Sequence, residues 1–198
     1  MNKLLFTLAI LVLSATASMA QLKTVTDYFL AMPNAAYSRD ASGTTIKGKA
    51  KVDAYRRSLI KIEDIKNGYL RLEGPWEGWA EIALFKRTGG GYIVAHAENG
   101  CGPACSGFVK FWSVSGNKWT NITPGVFKEL SSIDAAKLFN RKKAADDETA
   151  SADGFPFYYL LPRVGKTVKA ACNECSNSGG DDFILAEWEF DGAKFVRK

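Results

Sequence analysis

Hydrophobic and polar positions along this chain follow two rhythms. In TVTDYFLAMP (Thr24–Pro33), Val25, Tyr28, Phe29 and Met32 recur at i, i+3, i+4 and i+7. That spacing makes one apolar helical stripe stopped by Pro33, and it predicts a short N-terminal helix docking on a sheet. A polar, glycine-containing stretch follows, and then the period shortens to two. In SLIKIEDIKNGYLRLEG, apolar alternation on either side of Asn67-Gly68 predicts a hairpin, because that pair tolerates the positive φ of a tight turn. AEIALFKRTGGGYIVAHA predicts a second one: strand, triple-glycine turn, strand. The helical rhythm returns in SSIDAAKLFN, where Ser131 stands three residues before Asp134 in a capping-box-like arrangement. RKKAADDETASADG, which follows, is short of apolar residues and reads as a surface loop.

The pattern also repeats over a longer range. WSVSGNKW (Trp112–Trp119) aligns with WEFDGAKF (Trp188–Phe195), each a strand, a Ser/Asp-Gly turn, and a strand opening on Lys and an aromatic. Upstream, IALFKRTGGGYIVAHA matches YYLLPRVGKTVKAA more loosely, with two residues fewer in the turn. Residues 82–121 and 158–197 therefore read as two versions of one four-strand unit, with a cysteine pair at the same place in each. Two copies of so long a unit do not make a solenoid. Short hairpins join antiparallel strands, whereas parallel pairs need long crossovers. The expected fold is mainly β, an antiparallel sandwich or barrel-like meander built from two related four-strand units, with two short peripheral helices. In FILAEWEF, alternation puts Ile184, Ala186, Trp188 and Phe190 on the core face, away from Phe183, Leu185 and Glu187.

Residues 1–20, MNKLLFTLAILVLSATASMA, add a location. A basic start at Lys3, an apolar run from Leu4 to Leu13 and small residues Ser18 and Ala20 before Gln21 form the pattern of a secretory signal peptide. The apolar run is shorter than the roughly 20 residues that cross a bilayer. The expected mature chain, residues 21–198, is a single mainly-β domain without a membrane span, periplasmic or secreted. Losing Lys3 lowers the formal charge from +5 to +4. The basic residues are dispersed among acids, without the focused, aromatic-interleaved face that nucleic acids require, so no nucleic-acid partner is expected. The same basicity disfavours inhibition of a strongly cationic secreted enzyme.

Location decides how the four cysteines are read. In an oxidising compartment Cys101, Cys105, Cys172 and Cys175 default to disulfides, with three possible pairings. The equivalent positions in the two units favour Cys101–Cys105 and Cys172–Cys175. Loops this small restrict the unfolded chain by about 2 kcal/mol, against roughly 4–5 kcal/mol for a link between the units. Local staples would thus rigidify a loop more than they stabilise the fold. Redox catalysis wants Cys-x-x-Cys opening a helix after a strand, but CGPAC has the wrong spacing and CNEC runs into Gly and Asp. Four thiolates at ligand-like spacings suit zinc, and outside the reducing cytosol they compete poorly with oxidation. No His follows Cys175 to complete a covalent haem motif.

The remaining chemistry is sparse. His96 is the only histidine and lies mid-strand near Glu98, where a satisfied strand residue outweighs a catalytic one. TGGGY lacks the Lys-Ser/Thr of a phosphate loop, and DDETASAD lacks the alternating order of a calcium loop. Glu77 and Glu81 form a conceivable glycosidase carboxylate pair, with Trp76 and Trp79 as sugar platforms. Tryptophans at a strand entrance more often plug a core end, and the same aromatics could still line a carbohydrate or peptide groove. As a binding patch, the candidate residues are Trp76, Trp79, Glu77 and His96.

DYFLAMPNAAY, YYLLPRVGKTV and EWEFDGAKFV resemble segments of small exported bacterial β-rich proteins of uncharacterised function. The resemblance covers about a third of the chain and implies no catalytic residue. The expected function is an exported, non-catalytic, disulfide-stapled β domain without cofactor or metal, binding an envelope protein or a glycan. The alternative is an exported thiol-redox or zinc-binding protein using the four cysteines. Counting free thiols in the native and denatured protein, alongside zinc analysis, separates them. The first class yields no thiol and no metal; labile thiols or stoichiometric zinc would establish the second.

Overall fold

A computed structural model describes residues 22–142, 154–173, 175 and 182–198. The expected leader (1–20), most of the expected surface loop with its acidic DDETASAD run (143–153), and residues 176–181 lie outside the described residues. Six strands form one antiparallel meander in sequence order: β1 (Ile60–Asp64), β2 (Tyr69–Leu72), β3 (Gly78–Lys86), β4 (Tyr92–Cys101), β5 (Cys105–Ser115) and β6 (Lys118–Asn121). Four more form a second sheet: β7 (Tyr158–Leu160), β8 (Thr167–Cys172), β9 (Phe183–Phe190) and β10 (Phe195–Arg197), ordered β10-β9-β8-β7. The fold is mainly β, as expected, and neither sheet closes into a barrel. The two predicted hairpins form at the predicted turns, with Gly68, Gly90 and Gly91 at positive φ.

Segments 82–121 and 158–197 are each a four-stranded antiparallel meander, and their closing hairpins share a register. Val114 pairs with Trp119 as Phe190 pairs with Phe195, and Trp112 with Asn121 as Trp188 with Arg197. The correspondence is one of backbone. Trp112 is half-buried on the face of the first sheet turned toward the helices, whereas Trp188 is buried between the sheets.

That inter-sheet core is largely aromatic. Phe195 lies tilted against Phe111 at 4.5 Å and edge-on to Phe85 at 4.8 Å, while Phe127 meets Trp188 at 4.8 Å. Truncating such a ring to Ala costs about 3–5 kcal/mol. Ala186, Trp188 and Phe190 face this core as expected, but Ile184 does not. Ala170 pairs with Ala186 and Ala171 with Ile184, so Leu185 is an extra residue in β9. The bulge reverses the alternation below it and brings Leu185 and Phe183 to the core instead.

The other face of the first sheet is covered by helices. α1 (Val25–Ala31) starts in the capping box of Thr24 and Asp27 and buries Val25, Tyr28 and Phe29 against Leu70, Leu72, Ile82 and Val94. α2 (Lys49–Ser58) is an addition to the two expected helices, and so is the single turn α3 (Thr123–Val126). α4 (Ser132–Lys142) is the second expected helix; the Ser131 hydroxyl accepts from the Asp134 N–H at 3.1 Å. The stripe of α2 is Val52, Tyr55, Arg56 and Leu59, with arginine in a core position. Arg56 is buried and donates to the carbonyls of Phe29, Leu30, Met32, Asn34 and Tyr37 and to the Ser38 hydroxyl. It thereby satisfies carbonyls at the open end of α1 and fixes the segment leading to the 3-10 turn Ala36–Ser38.

The sheets are also joined by polar contacts along the outer edge of β7. Gly107 N–H donates to Phe157 O (3.0 Å), and Glu81 Oε2 accepts from Leu161 N–H (2.7 Å). Between them, the Asn99 carboxamide donates to Tyr159 O (2.9 Å) and accepts from Tyr159 N–H (3.3 Å). A Cβ at Gly107 would lie 2.1 Å from Asn99 Oδ1, so only glycine lets Asn99 reach across. Asn99→Ala strands both backbone groups of Tyr159 in the interior, and urea unfolding should show a loss of about 2–4 kcal/mol.

Candidate functional site

The expected patch residues do not converge. Trp76 lies over Gly74 and against Tyr37, on the helical side of the first sheet. Trp79 packs edge-on to Tyr158 at 5.3 Å, with the Arg71 guanidinium 4.9 Å from its ring. Both rings are half-buried with their indole N–H groups inside, and they lie on opposite sides of the first sheet, so they do not form one shared platform. Glu77 is exposed before β3, whereas Glu81 is buried within it with both oxygens engaged, by the Tyr69 hydroxyl (2.8 Å) and Leu161 N–H. They do not form a carboxylate pair. Burial holds the Glu81 carboxyl above its ordinary range, and burial beside Glu81 raises the Tyr69 hydroxyl as well.

His96 is buried beneath the 3-10 turn. Its Nε2 lies 2.7 Å from the Tyr37 hydroxyl and 3.9 Å from Glu98, and its ring meets Phe108 edge-on. Burial, with the nearby Lys110 charge, pushes its pKa down to about 4. Neither His96 nor Glu81 lines any of the surface grooves described below.

The cysteines pair locally, Cys101 with Cys105 and Cys172 with Cys175. Each bridge sits at the junction of the second and third strands of its meander. The bridges approach one another: Asn173 Nδ2 donates to Cys105 Sγ at 3.4 Å, and Cys105 packs with Tyr158 and Ala171. Bonded pairwise, the sulfurs are not the four-thiolate cluster of the alternative reading.

Sequence reasoning did not find the feature with the clearest binding character. Beside β10 the surface opens into two contiguous depressions of about 640 and 560 Å³, which share Lys128, Glu129, Lys194 and Phe195. α3 and α4 wall them, and Phe127, Phe195 and Trp188 supply apolar floor. Lys110, Lys128, Lys137, Arg141, Lys194 and Arg197 bring six cations to the lining, against Glu129 and Asp134. Asp134 is already held by Ser131 at the start of α4. None of the six comes within ion-pair distance of a described carboxylate; Arg197 lies over the Trp188 ring, Lys110 lies over Phe108 where its charge reaches Glu98 and His96, and the Lys194 charge reaches Asp191. The outer face of the same sheet is arranged differently, with Lys166 and Lys198 on Glu189 and Lys169 on Glu187. These six residues come from β5, β10 and the turn before it, α4 and the segment after α3, so no sequence window displays the cluster.

No protein-family model matches the chain, and no curated protein matches it. Among solved structures it is similar to a domain of an uncharacterized protein from Porphyromonas gingivalis W83, at TM-score 0.49 and 13% identity, covering 88% of this chain and 97% of that one. Among the described residues no helix is long and apolar enough to cross a membrane.

The His96 environment has a measurable consequence. The unfolded chain takes up its proton near pH 6.5, the folded chain only near pH 4, so stability present above pH 6.5 is lost as pH falls through that window. The full effect is about 3 kcal/mol. Glu81 and Glu98, both raised, titrate with the opposite sign. The difference between wild type and His96→Phe isolates the histidine: unfolding free energy measured from pH 7 to 4 should fall less in the variant.

Proposed function

We propose that the protein is an exported, non-catalytic binding domain of the cell envelope, and that it holds an envelope polypeptide in the groove beside β10. The observation that carries this reading is the convergence of six cations, against two acids, around an aromatic floor. Cations on a solvated face are ordinarily interleaved with acids, as on the outer face of this sheet, where every pair is worth little. Cations gathered beside apolar area instead complement an anionic partner and steer its approach. A polypeptide is favoured over a glycan because Trp76 and Trp79, the candidate sugar platforms, lie on opposite sides of the first sheet and neither lines the groove. Export rests on the leader-like residues 1–20, and the two disulfides are compatible with a periplasmic or extracellular location.

Reversing two shared lining charges, Lys128→Glu with Lys194→Glu, should weaken capture of an envelope polypeptide by about tenfold or more, equivalent to roughly 1.4 kcal/mol, with the melting temperature unchanged. Titration of solubilised envelope fractions against immobilised protein measures it. Equal binding by the double variant, or captured material that survives exhaustive proteolysis, would remove the proposal.

A further inference from the structure

The groove contains a strand edge, and its register tells which backbone groups are in use. Lys198 N–H donates to Glu187 O, and Asp191 N–H donates to Lys194 O, both at 3.0 Å, in the ladder that pairs Val196 with Glu189. Lys194, Val196 and Lys198 thus turn their backbone groups toward β9. By the alternation of antiparallel pairs, the N–H and C=O of Phe195 and Arg197 point the other way. No described residue bonds to them there. At the opposite edge of the same sheet, outward groups of β7 are met by the first sheet at each alternate residue: the C=O of Phe157, both groups of Tyr159 and the N–H of Leu161. The β10 edge is open, and it opens into a walled groove that lines Phe195, Val196 and Arg197 together with α4.

The side chains along that edge alternate in character. Phe195 and Arg197 face the groove floor, Arg197 over Trp188, beside Lys137 and Arg141 of α4. Val196 is 48% exposed on the outer face. An added strand would therefore meet cations on one side and an exposed aliphatic residue on the other.

From this arrangement we infer that the groove takes an extended acidic segment as a fifth strand on β10. Its main chain pairs with the N–H and C=O of Phe195 and Arg197. Its carboxylates, at alternate positions, face Lys137, Arg141 and Arg197, and the residues between them, apolar and β-branched, lie beside Val196. Backbone pairing of this kind supplies affinity, and the alternate side chains supply selectivity. The inference rests on the groove being the binding site. It adds the conformation and the chemistry of the occupant.

The test uses the folded, disulfide-bonded protein and the peptide acetyl-Glu-Val-Glu-Val-Glu-Val-amide, its Lys-Val counterpart, and two forms N-methylated on one or the other set of alternate residues. Binding is followed by amide NMR, with hydrogen exchange at Phe195 and Arg197. The acidic peptide should bind, the basic one should not, and exchange of both edge amides should slow about tenfold or more at saturation. A strand paired along one edge uses only half of its amides. One methylated form should therefore lose binding while the other keeps it. If the acidic peptide shifts the lysines of the groove and both methylated forms bind alike, strand addition is wrong and the groove reading stands. If the acidic peptide leaves the groove resonances unmoved, strand addition is again wrong. The charge-reversed Lys128→Glu, Lys194→Glu protein then decides separately whether the groove binds a partner in another way.

Discussion

Everything in this fold depends on how the first sheet meets the outer edge of β7. A strand edge buried against another sheet would leave a row of unpaired main-chain groups in the interior, each costing about 1–3 kcal/mol. Here Phe157, Tyr159 and Leu161 alternate along one edge, and Gly107, Asn99 and Glu81 stand opposite them. The Asn99 carboxamide, 0% exposed, imitates a neighbouring strand by giving Tyr159 both a donor and an acceptor. With that edge satisfied, the second sheet can lie over the first, and the phenylalanines can close between them. Tyr159 extends the same joint: its hydroxyl accepts from Leu130 N–H at 3.0 Å, tying down the segment before α4, and burial pushes its pKa up to about 12.

The joint explains why the polar residues that caught notice as chemistry turn out to be architecture. Glu81 spends its oxygens on Leu161 and Tyr69, and His96 spends its Nε2 on Tyr37. Both sit where a sheet meets another layer, one on each face of the first sheet. Burial moves their titration in the neutral-favouring direction, up for the acid and down for the base. A perturbed ionisable group is a candidate for function only where ligand can reach it, and here the grooves lie elsewhere.

Much of the scaffold was legible from spacing alone. The 3.6-residue stripe of α1, the glycine turns of the β1–β2 and β3–β4 hairpins, and the matching hairpins at Trp112 and Trp188 are local signals, formed by neighbours in sequence. The local disulfides followed from position within the two units. What escaped had non-local causes. α2 was hidden because Arg56 occupies a core place in its stripe, a choice sensible only once the carbonyls of residues 29 to 37 converge on it. Ile184 was misassigned because a bulge leaves no mark in the alternation of FILAEWEF. For Trp76 and Trp79 the sequence offered either a core plug or a binding patch, and only the strand register reveals that one packs on each side of the sheet. The cationic groove was dispersed over four parts of the chain, and overall charge balance gave no sign that its cations gather beside one strand edge.

The two ends of the second sheet show one physical problem with two outcomes. Unpaired strand edges invite addition of further strands, and proteins usually blunt them. At β7 the first sheet does so with side chains and a glycine, and the edge becomes interior. At β10 the main-chain groups of Phe195 and Arg197 stay unmatched by protein, at little cost while water can reach them. α4 and the residues after α3 wall that edge and deny the flat, open approach by which whole sheets join one another. They also set lysines and arginines along it, so that a strand bearing their like would be repelled. An edge that is open, walled and cationic is poorly suited to self-association of a basic chain and well suited to a single acidic strand. The charge distribution and the unused hydrogen bonds, which have no common cause in sequence, thus converge on one surface.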